Sequence, residues 1–428
     1  MTLAIVFLVF FAFALLGVPL VWALLATTLT VMALLGRDHP IEGILLNYIG
    51  GVEPFHLAAV PLFIIAGELI SRGGVGRRIV EFARTVFGFL PGGLGIVTVM
   101  SCLIFGAVSG SAIAASAAIG TVMIPAMRER GYSAAFAGAL VAVAGTLGVI
   151  IPPSIPMLVY GFVGGVSVKE LFVSGIVPGL LFGVSMMAVC FWYGKTTGCD
   201  RGDERFALRN VARAAWRCLP ALMMPIIILG GIYSGVFTPT ESAAVAVFYG
   251  LFVALVLYRE LRMRDLPSLL LESLTVSAVV MLIVGATTVL AWLITVEQVP
   301  AQLTRLVQDV AASRFAFLLL VNIVLLVLGI FIEPLPAIII AAPLFVPAAR
   351  AFGIDPVHLG LIMTCNLAIG LYTPPVGGTL FVAARIANVA MGAMTRALVP
   401  LFLSSLVVLL LITYVELLPM GLVWLGRG

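Results

Sequence analysis

Two interrupted stretches set in long apolar runs are where this sequence could do chemistry. Ser109-Gly110-Ser111 breaks one run; Gly145-Thr146-Leu147-Gly148 and Ile151-Pro152-Pro153-Ser154 break the next. Proline lacks an N–H and clashes with the preceding turn, so Pro152-Pro153 unwinds a helix there. In lipid, freed backbone groups must find partners, so irregular backbone persists only where it is buried in protein or lines a cavity. Loosened carbonyls and hydroxyls are hard ligands for a small cation such as sodium, and helix N-termini at a hairpin tip favour an anion. Secondary transporters build their sites from interrupted helices that face a cavity. Residues 106–161 read as half of such a site.

The other half lies 222 residues downstream. At that shift, without gaps, Pro125 falls on Pro347, Gly131 on Gly353, Gly138 on Gly360, Gly148 on Gly370, Pro152-Pro153 on Pro374-Pro375, and Val177-Pro178 on Val399-Pro400. The matched residues are mostly those that set backbone shape. A single register that preserves them is an internal repeat rather than an effect of apolar composition.

The elements that must carry these sites are membrane helices. The 428 residues are 62% hydrophobic and only 10% charged, with a mean hydropathy of +1.24. No Asp, Glu, Lys or Arg occurs in 85–127, in 131–168, or in 356–384. About 20 apolar residues span a bilayer. The sequence therefore predicts an all-α polytopic membrane protein. The N-terminus lacks a basic n-region and reads as a retained helix rather than a signal peptide. The basic residues sit between apolar runs, which argues against nucleic acid as a partner. Five cysteines lack metal-ligand spacing and read as reduced, structural thiols. Neither a His-Glu-x-x-His helix nor a nucleophile–base pair supports an enzyme.

Loop charge orients the chain, since cytoplasmic loops hold the excess of Lys and Arg. If 93–127 and 315–347 are hairpins that enter and leave on one side, the inner groups are Arg72 to Arg84, Arg128 and Arg130, the six from Lys195 to Arg217 (Arg201 and Arg205 among them), Arg259 to Arg264, and Arg385 with Arg396. Arg37, Lys169, Arg305, Arg314, Arg350 and Arg427 remain outside. The first hairpin then opens to the cytoplasm and the second outward, so the repeats have inverted topology, with a site at their interface. The expected divisions are 1–92, N-terminal and largely scaffold; 93–193, the first core; 194–268, a basic cytoplasmic loop and central helix pair; 269–314, a scaffold span and outer loop; 315–418, the second core; and 419–428, a tail.

Neither the first hairpin nor either broken span carries Lys or Arg, so a bound anion would rest on dipoles, hydroxyls and cations. Ala114, Ser116 and Gly120 read as close-packing residues. Glu333, the only acid of the second hairpin, is a functional candidate at membrane depth or a tip exposed to outer water. Glu241, in Thr238-Pro239-Thr240-Glu241, reads as a helix cap.

The segments SGSAIAASAAIGTVMIPAMRERGY, AGTLGVIIPPSIPMLVYG, GVFTPTESAAVAVFYG and NLAIGLYTPPVG resemble the large membrane subunit of tripartite ATP-independent periplasmic (TRAP) transporters, DctM type. With the hydropathy pattern, the resemblance covers essentially the whole chain. It implies an elevator-type, sodium-driven importer in a bacterial inner membrane, with sodium as coupling ion and no other cofactor. It implies two partners, a small four-helix membrane subunit (DctQ type) and a periplasmic solute-binding protein (DctP type) that delivers carboxylated solutes. By resemblance, one sodium sits among Ser109, Gly148, Ile151 and Pro153. The repeat predicts a second at Gly370, Thr373 and Pro375, where Phe331 replaces Ser109 and Thr373 replaces Ile151. Ser111, Thr146, Ser154, Glu333, Asn366 and Thr379 are the substrate-facing candidates. A C4-dicarboxylate, a sialic or other sugar acid and a keto acid all remain open as solute. The alternative is a standalone sodium–dicarboxylate symporter with the same hairpin plan.

Overall fold

A computed structural model describes residues 2–35, 40–53, 55–200, 206–299, 301–302 and 313–427, and every regular element among them is helical. Arg37, Arg201, Arg205 and Arg305 lie outside the described residues. In chain order come α1 (Thr2–Leu15), α2 (Leu20–Leu35), α3 (Glu42–Val52), α4 (Ala59–Arg72) and α5 (Val75–Phe87). The first hairpin is α6 (Gly93–Ser109) and α7 (Ala112–Glu129). The first broken helix is α8 (Ala134–Gly145), α9 (Leu147–Ile150) and α10 (Ile155–Val163), followed by α11 (Val168–Thr197). The middle holds α12 (Leu208–Tyr233), α13 (Pro239–Phe252) and α14 (Leu266–Val296). The second hairpin is α15 (Arg314–Phe331) and α16 (Pro334–Ala351), and the second broken helix α17 (Pro356–Gly370) and α18 (Gly378–Ala387). The chain closes with α19 (Met391–Tyr414) and α20 (Leu417–Arg427). Among the described residues seven helices are long and apolar enough to cross a membrane, or up to nine if each bent pair is one span. This is an all-α polytopic membrane protein.

The long helix α11 shows how the two hairpins are oriented. At 30 residues it is about 45 Å long. The hairpin α6/α7 opens at its C-terminal end: Asp200 accepts the Leu94 N–H at 2.6 Å, and Gly92 packs on Cys190 and Gly194. Tyr132, just past α7, reaches the same Asp200 at 3.5 Å. The hairpin α15/α16 opens at the other end. Arg314 pairs with Glu416, His358 lies 3.2 Å from that carboxylate, and Arg427 bridges Asp355 and Glu170 in the first turn of α11, each at 2.7 Å. The hairpins therefore enter from opposite ends, as an inverted repeat requires.

The repeat glycines do matching work. Gly138 on α8 leaves room for Ala387 of α18, and its counterpart Gly360 on α17 leaves room for the Tyr160 ring of α10. The Tyr160 hydroxyl donates to the Pro356 carbonyl at 2.7 Å. Each broken helix thus lays its second half on the first half of the other. Gly175 and Gly179 of α11 sit beneath Ile150 and Ile151, so the first break lies within the length of α11 rather than at its end.

Three elements differ from the sequence reading. The arginine group from Arg77 to Arg84 is not a loop but the exposed face of α5, bent 66° from α4, with Ile79, Val80 and Ala83 turned inward. Most of the basic segment 195–217 is helical, because α12 begins at Leu208 and carries Arg209, Arg213 and Arg217 in its first turns. The tail is the helix α20, held by Arg427. The capping reading of Glu241 holds: its carboxylate accepts the Thr238 N–H at 2.8 Å, and the Thr238 hydroxyl accepts the Glu241 N–H at 3.3 Å. All five cysteines are buried and free.

Candidate functional site

The two hairpin tips meet at a cavity of about 100 Å³. Gly110, Ser111 and Ile113 line it from the first tip, Glu333 and Leu335 from the second; Val149, Ile155 and Pro156 of the first broken helix and Leu371, at the end of α17, add to the wall. Three larger cavities, of about 670, 510 and 350 Å³, lie elsewhere, between α3 and α14, beside Lys169, and between α5 and α12.

Each tip is seated by glycine against glycine. A Cβ on Gly106 would lie 2.6 Å from the Gly148 Cα, and one on Gly148 would lie 2.8 Å from the Ser111 carbonyl oxygen. Gly110 turns the chain with φ +63°, and a Cβ there would lie 2.9 Å from the Pro153 carbonyl oxygen. In the second repeat a Cβ on Gly370 would collide with the Gly329 carbonyl. Sequence reasoning missed Gly106, Gly329 and Gly67, whose missing Cβ admits the Ser109 carbonyl. Gly329 lies 223 residues after Gly106, so the ungapped shift of 222 passes over that pair.

The prolines explain which carbonyls are loose. In a continuous helix the Gly148 carbonyl would accept from residue 152 and the Val149 carbonyl from residue 153. Both are proline and have no N–H. Ser154 replaces the second bond, its hydroxyl donating to Val149 O at 2.6 Å. In the second repeat Thr379 does the same for Leu371 O at 2.9 Å. The Gly370 carbonyl accepts the Thr373 N–H at 3.0 Å. Both Pro-Pro bonds are cis.

The remaining candidates separate accordingly. Ser109 is buried, its hydroxyl oxygen accepting the Ser111 N–H at 3.4 Å. With Gly148, Ile151 and Pro153 it lies at the seam between first tip and first break, where a stripped carbonyl and a hydroxyl oxygen suit a small hard cation. Gly370, Thr373 and Pro375 share the second break; the Thr373 hydroxyl donates to Ile369 O at 2.7 Å and keeps its lone pairs for a ligand. Pro375 is exposed, whereas Pro153 is buried. Ser111 and Glu333 face the common cavity. Thr146, Ser154, Asn366 and Thr379 do not line it. Thr146 donates to Val143 O, and Asn366 donates to Asn322 while its own Oδ1 lacks a donor. Ser116 packs against Gly145, and Gly120 against Val141, as close-packing residues do.

Four helix N-termini converge near this cavity: α7 behind Ser111, α10 behind Ser154, α16 behind Glu333, and α18, whose Gly378 would place a Cβ 3.9 Å from the Glu333 carboxylate. Each N-terminus carries roughly half a positive charge. Ser111 caps the Ala114 N–H at 3.3 Å, which leaves Ala112 and Ile113 without intrahelical acceptors. The arrangement can hold an anion between the tips and a cation at the seam behind them.

Opposed hairpins, interlocked broken helices and a midway cavity define a helical membrane permease. The sequence pattern of the tripartite ATP-independent periplasmic transporter, DctM component, matches residues 7–418. The chain is 41% identical over 412 residues to the isethionate TRAP transporter permease protein DctMQ of Oleidesulfovibrio alaskensis, covering 96% of this chain and 65% of that protein's length. It is 43% identical over 377 residues to the C4-dicarboxylate TRAP transporter large permease protein DctM of Pseudomonas aeruginosa, covering 88% of each. The crystal structure of the Alcanivorax borkumensis YdaH transporter shares the fold, with a TM-score of 0.64 at 15% identity over 98% of both chains. The chain belongs to the DctM family, the large permease component of TRAP transporters, and is not an enzyme.

Proposed function

We propose that this chain is the substrate-translocating subunit of a sodium-driven, binding-protein-dependent importer for a small organic anion, working by an elevator motion in a bacterial inner membrane. Its proposed partners are a small membrane subunit and a periplasmic solute-binding protein. The observation that carries the reading is the convergence of helix N-termini from both repeats on one cavity, with proline-stripped backbone at the first seam. The DctMQ relative is named for isethionate, a sulfonate, and the Pseudomonas relative for C4-dicarboxylates; both names describe small acids. The cavity of about 100 Å³ is below the usual range for ligand pockets, so solute binding requires the tips to part. In this reading residues 93–193 and 315–418 form the moving core and the flanking helices the scaffold. Ser109, Gly148, Ile151 and Pro153 hold one sodium, Gly370, Thr373 and Pro375 a second, and Ser111 and Glu333 meet the solute.

Reconstitution in proteoliposomes with both partners tests it. Uptake is expected only with the binding protein, the small subunit and an inward sodium gradient. Uptake by this chain alone would instead establish the standalone symporter, and full uptake without sodium would remove the coupling ion.

A further inference from the structure

We propose that the cleft between α5 and the first turns of α12 binds the headgroup of an anionic phospholipid. The cleft measures about 350 Å³. Glu81 and Arg84 line it from α5, and Asn210, Arg213 and Arg217 from α12. Its described lining carries three guanidiniums and one carboxylate, and the two guanidiniums from α12 are those assigned to the headgroup. Arg213 and Arg217 stand one turn apart on the same helix face, where like charges repel. Among the described residues the side chain of neither has an ion-pair or hydrogen-bond partner. Arg78, nearby on α5, shows the opposite treatment. It donates to Gly74 O at 2.9 Å, lies 3.4 Å from Glu260, and stacks 3.8 Å from the Tyr258 ring centroid. The fold neutralises Arg78 and leaves the α12 pair open.

The surroundings favour a lipid over a free ion. Leu208 and Trp216 flank the arginines on α12 at 74% and 76% exposure. An exposed indole beside basic groups at a helix end marks a membrane–water interface. The bend that turns α5 away from α4 lays its charged face along that interface. Guanidinium forks match phosphate oxygens in pairs, and basic groups at a membrane surface gather anionic lipid. A headgroup phosphate in the cleft places its acyl chains along the apolar rim. This assignment does not depend on the transport reading.

The test uses the purified full chain in zwitterionic detergent, titrated with dioleoylphosphatidylglycerol and read by native mass spectrometry and thermal midpoint. The glycerol lipid is expected to be retained and stabilising, whereas dioleoylphosphatidylcholine and millimolar sodium phosphate are not. Arg213→Gln with Arg217→Gln should weaken retention on the order of 30-fold, from roughly fivefold per arginine at an anionic surface. Arg385→Gln with Arg396→Gln should leave it unchanged. If the glutamine pair does not fold, Arg213→Lys with Arg217→Lys, which keeps charge and loses the fork, should lose severalfold. Unchanged retention in whichever pair folds overturns the assignment, as does equal stabilisation by phosphate. Loss of the small membrane subunit with retention intact would make the cleft a protein interface and overturn it as well.

Discussion

Alanine at Gly148 tests whether the first break is a built cation site or only a bend. Its Cβ would stand 2.8 Å from Ser111 O and 3.0 Å from Ser111 C, where ordinary contact begins at 3.4 Å. Both neighbours are backbone, so no side chain can swing aside. The tip and the break must separate by about 0.6 Å, the gap between those two distances. Overpacking of this kind costs about 1–3 kcal/mol, enough to lower the thermal midpoint by several degrees. In the proposed site the Gly148 carbonyl and the Ser109 hydroxyl approach the ion from opposite sides of that seam. A misplacement of about 1 Å can cost 10²-fold in a positioned site, so this shift should raise the sodium concentration for half-maximal uptake about tenfold. The control is Gly230→Ala on α12, where a Cβ meets nothing within 4 Å and alanine favours the helix. It should keep wild-type sodium dependence with no loss of stability. The assay is uptake into proteoliposomes across a sodium series, paired with thermal unfolding. Lost stability with unchanged sodium dependence refutes the carbonyl site; no loss of either refutes the close seam itself.

Removing the replacement bonds should hurt stability rather than recognition. Ser154→Ala orphans the buried Val149 carbonyl, at about 1–3 kcal/mol, whereas Thr379→Val leaves Leu371 O its bond from the Thr379 N–H at 3.0 Å and should cost about 1 kcal/mol; a fall in solute affinity without a fall in thermal midpoint would return these hydroxyls to the substrate. Thr238→Ala dismantles the cap of α13 and should cost about 1 kcal/mol, read by thermal unfolding. The bonds from Glu170 and then Asp355 raise the Arg427 pKa above its ordinary value, so this clamp should not weaken in mild base. Because the side chain is 40% exposed, Arg427→Gln should cost under about 1 kcal/mol yet speed amide exchange across 417–427. Unchanged exchange there would show that apolar packing alone holds α20.

Much of this was legible because glycine and proline act locally. Pro152-Pro153 and Pro374-Pro375 break helices wherever they occur, and the repeat singled out Gly138, Gly148, Gly360 and Gly370 as residues that set backbone shape before any partner was known. The Thr238–Glu241 box was legible for the same reason, since both partners lie within one turn. What the sequence does not carry depends on long-range geometry. Nothing in the sequence says that the Ser154 and Thr379 hydroxyls turn back onto carbonyls of the two breaks. Asn366 looked like a recognition amide because its partner, Asn322, is 44 residues away. The arginines of 77–84 and 209–217 read as loops because charge normally ends a span, whereas α5 bends along the surface and α12 extends past its apolar part.

The repeat supplies two frames with the same backbone faults but not two equal sites. At the first tip, two N–H groups at the start of α7 remain for an anion. At the second, α16 begins Pro334-Leu335-Pro336, so two of its first three residues have no N–H to give. In their place the chain puts the Glu333 carboxylate, facing Ser111 across the cavity and near the start of α18. An anion held by the first tip therefore meets an acid from the second, and both are tolerable together only if cations or the converging helix ends offset them. The carbonyls divide in the same way: Pro152 leaves Gly148 O with no helical donor, while Gly370 O is already bonded to the Thr373 N–H. In the proposed mechanism the first seam then supplies the stronger cation ligand, next to the tip with the better anion donors. The second seam must rely on the lone pairs of Thr373. Coupling of solute to sodium would thus be tightest within the first repeat, with Glu333 setting how much negative charge the cavity accepts.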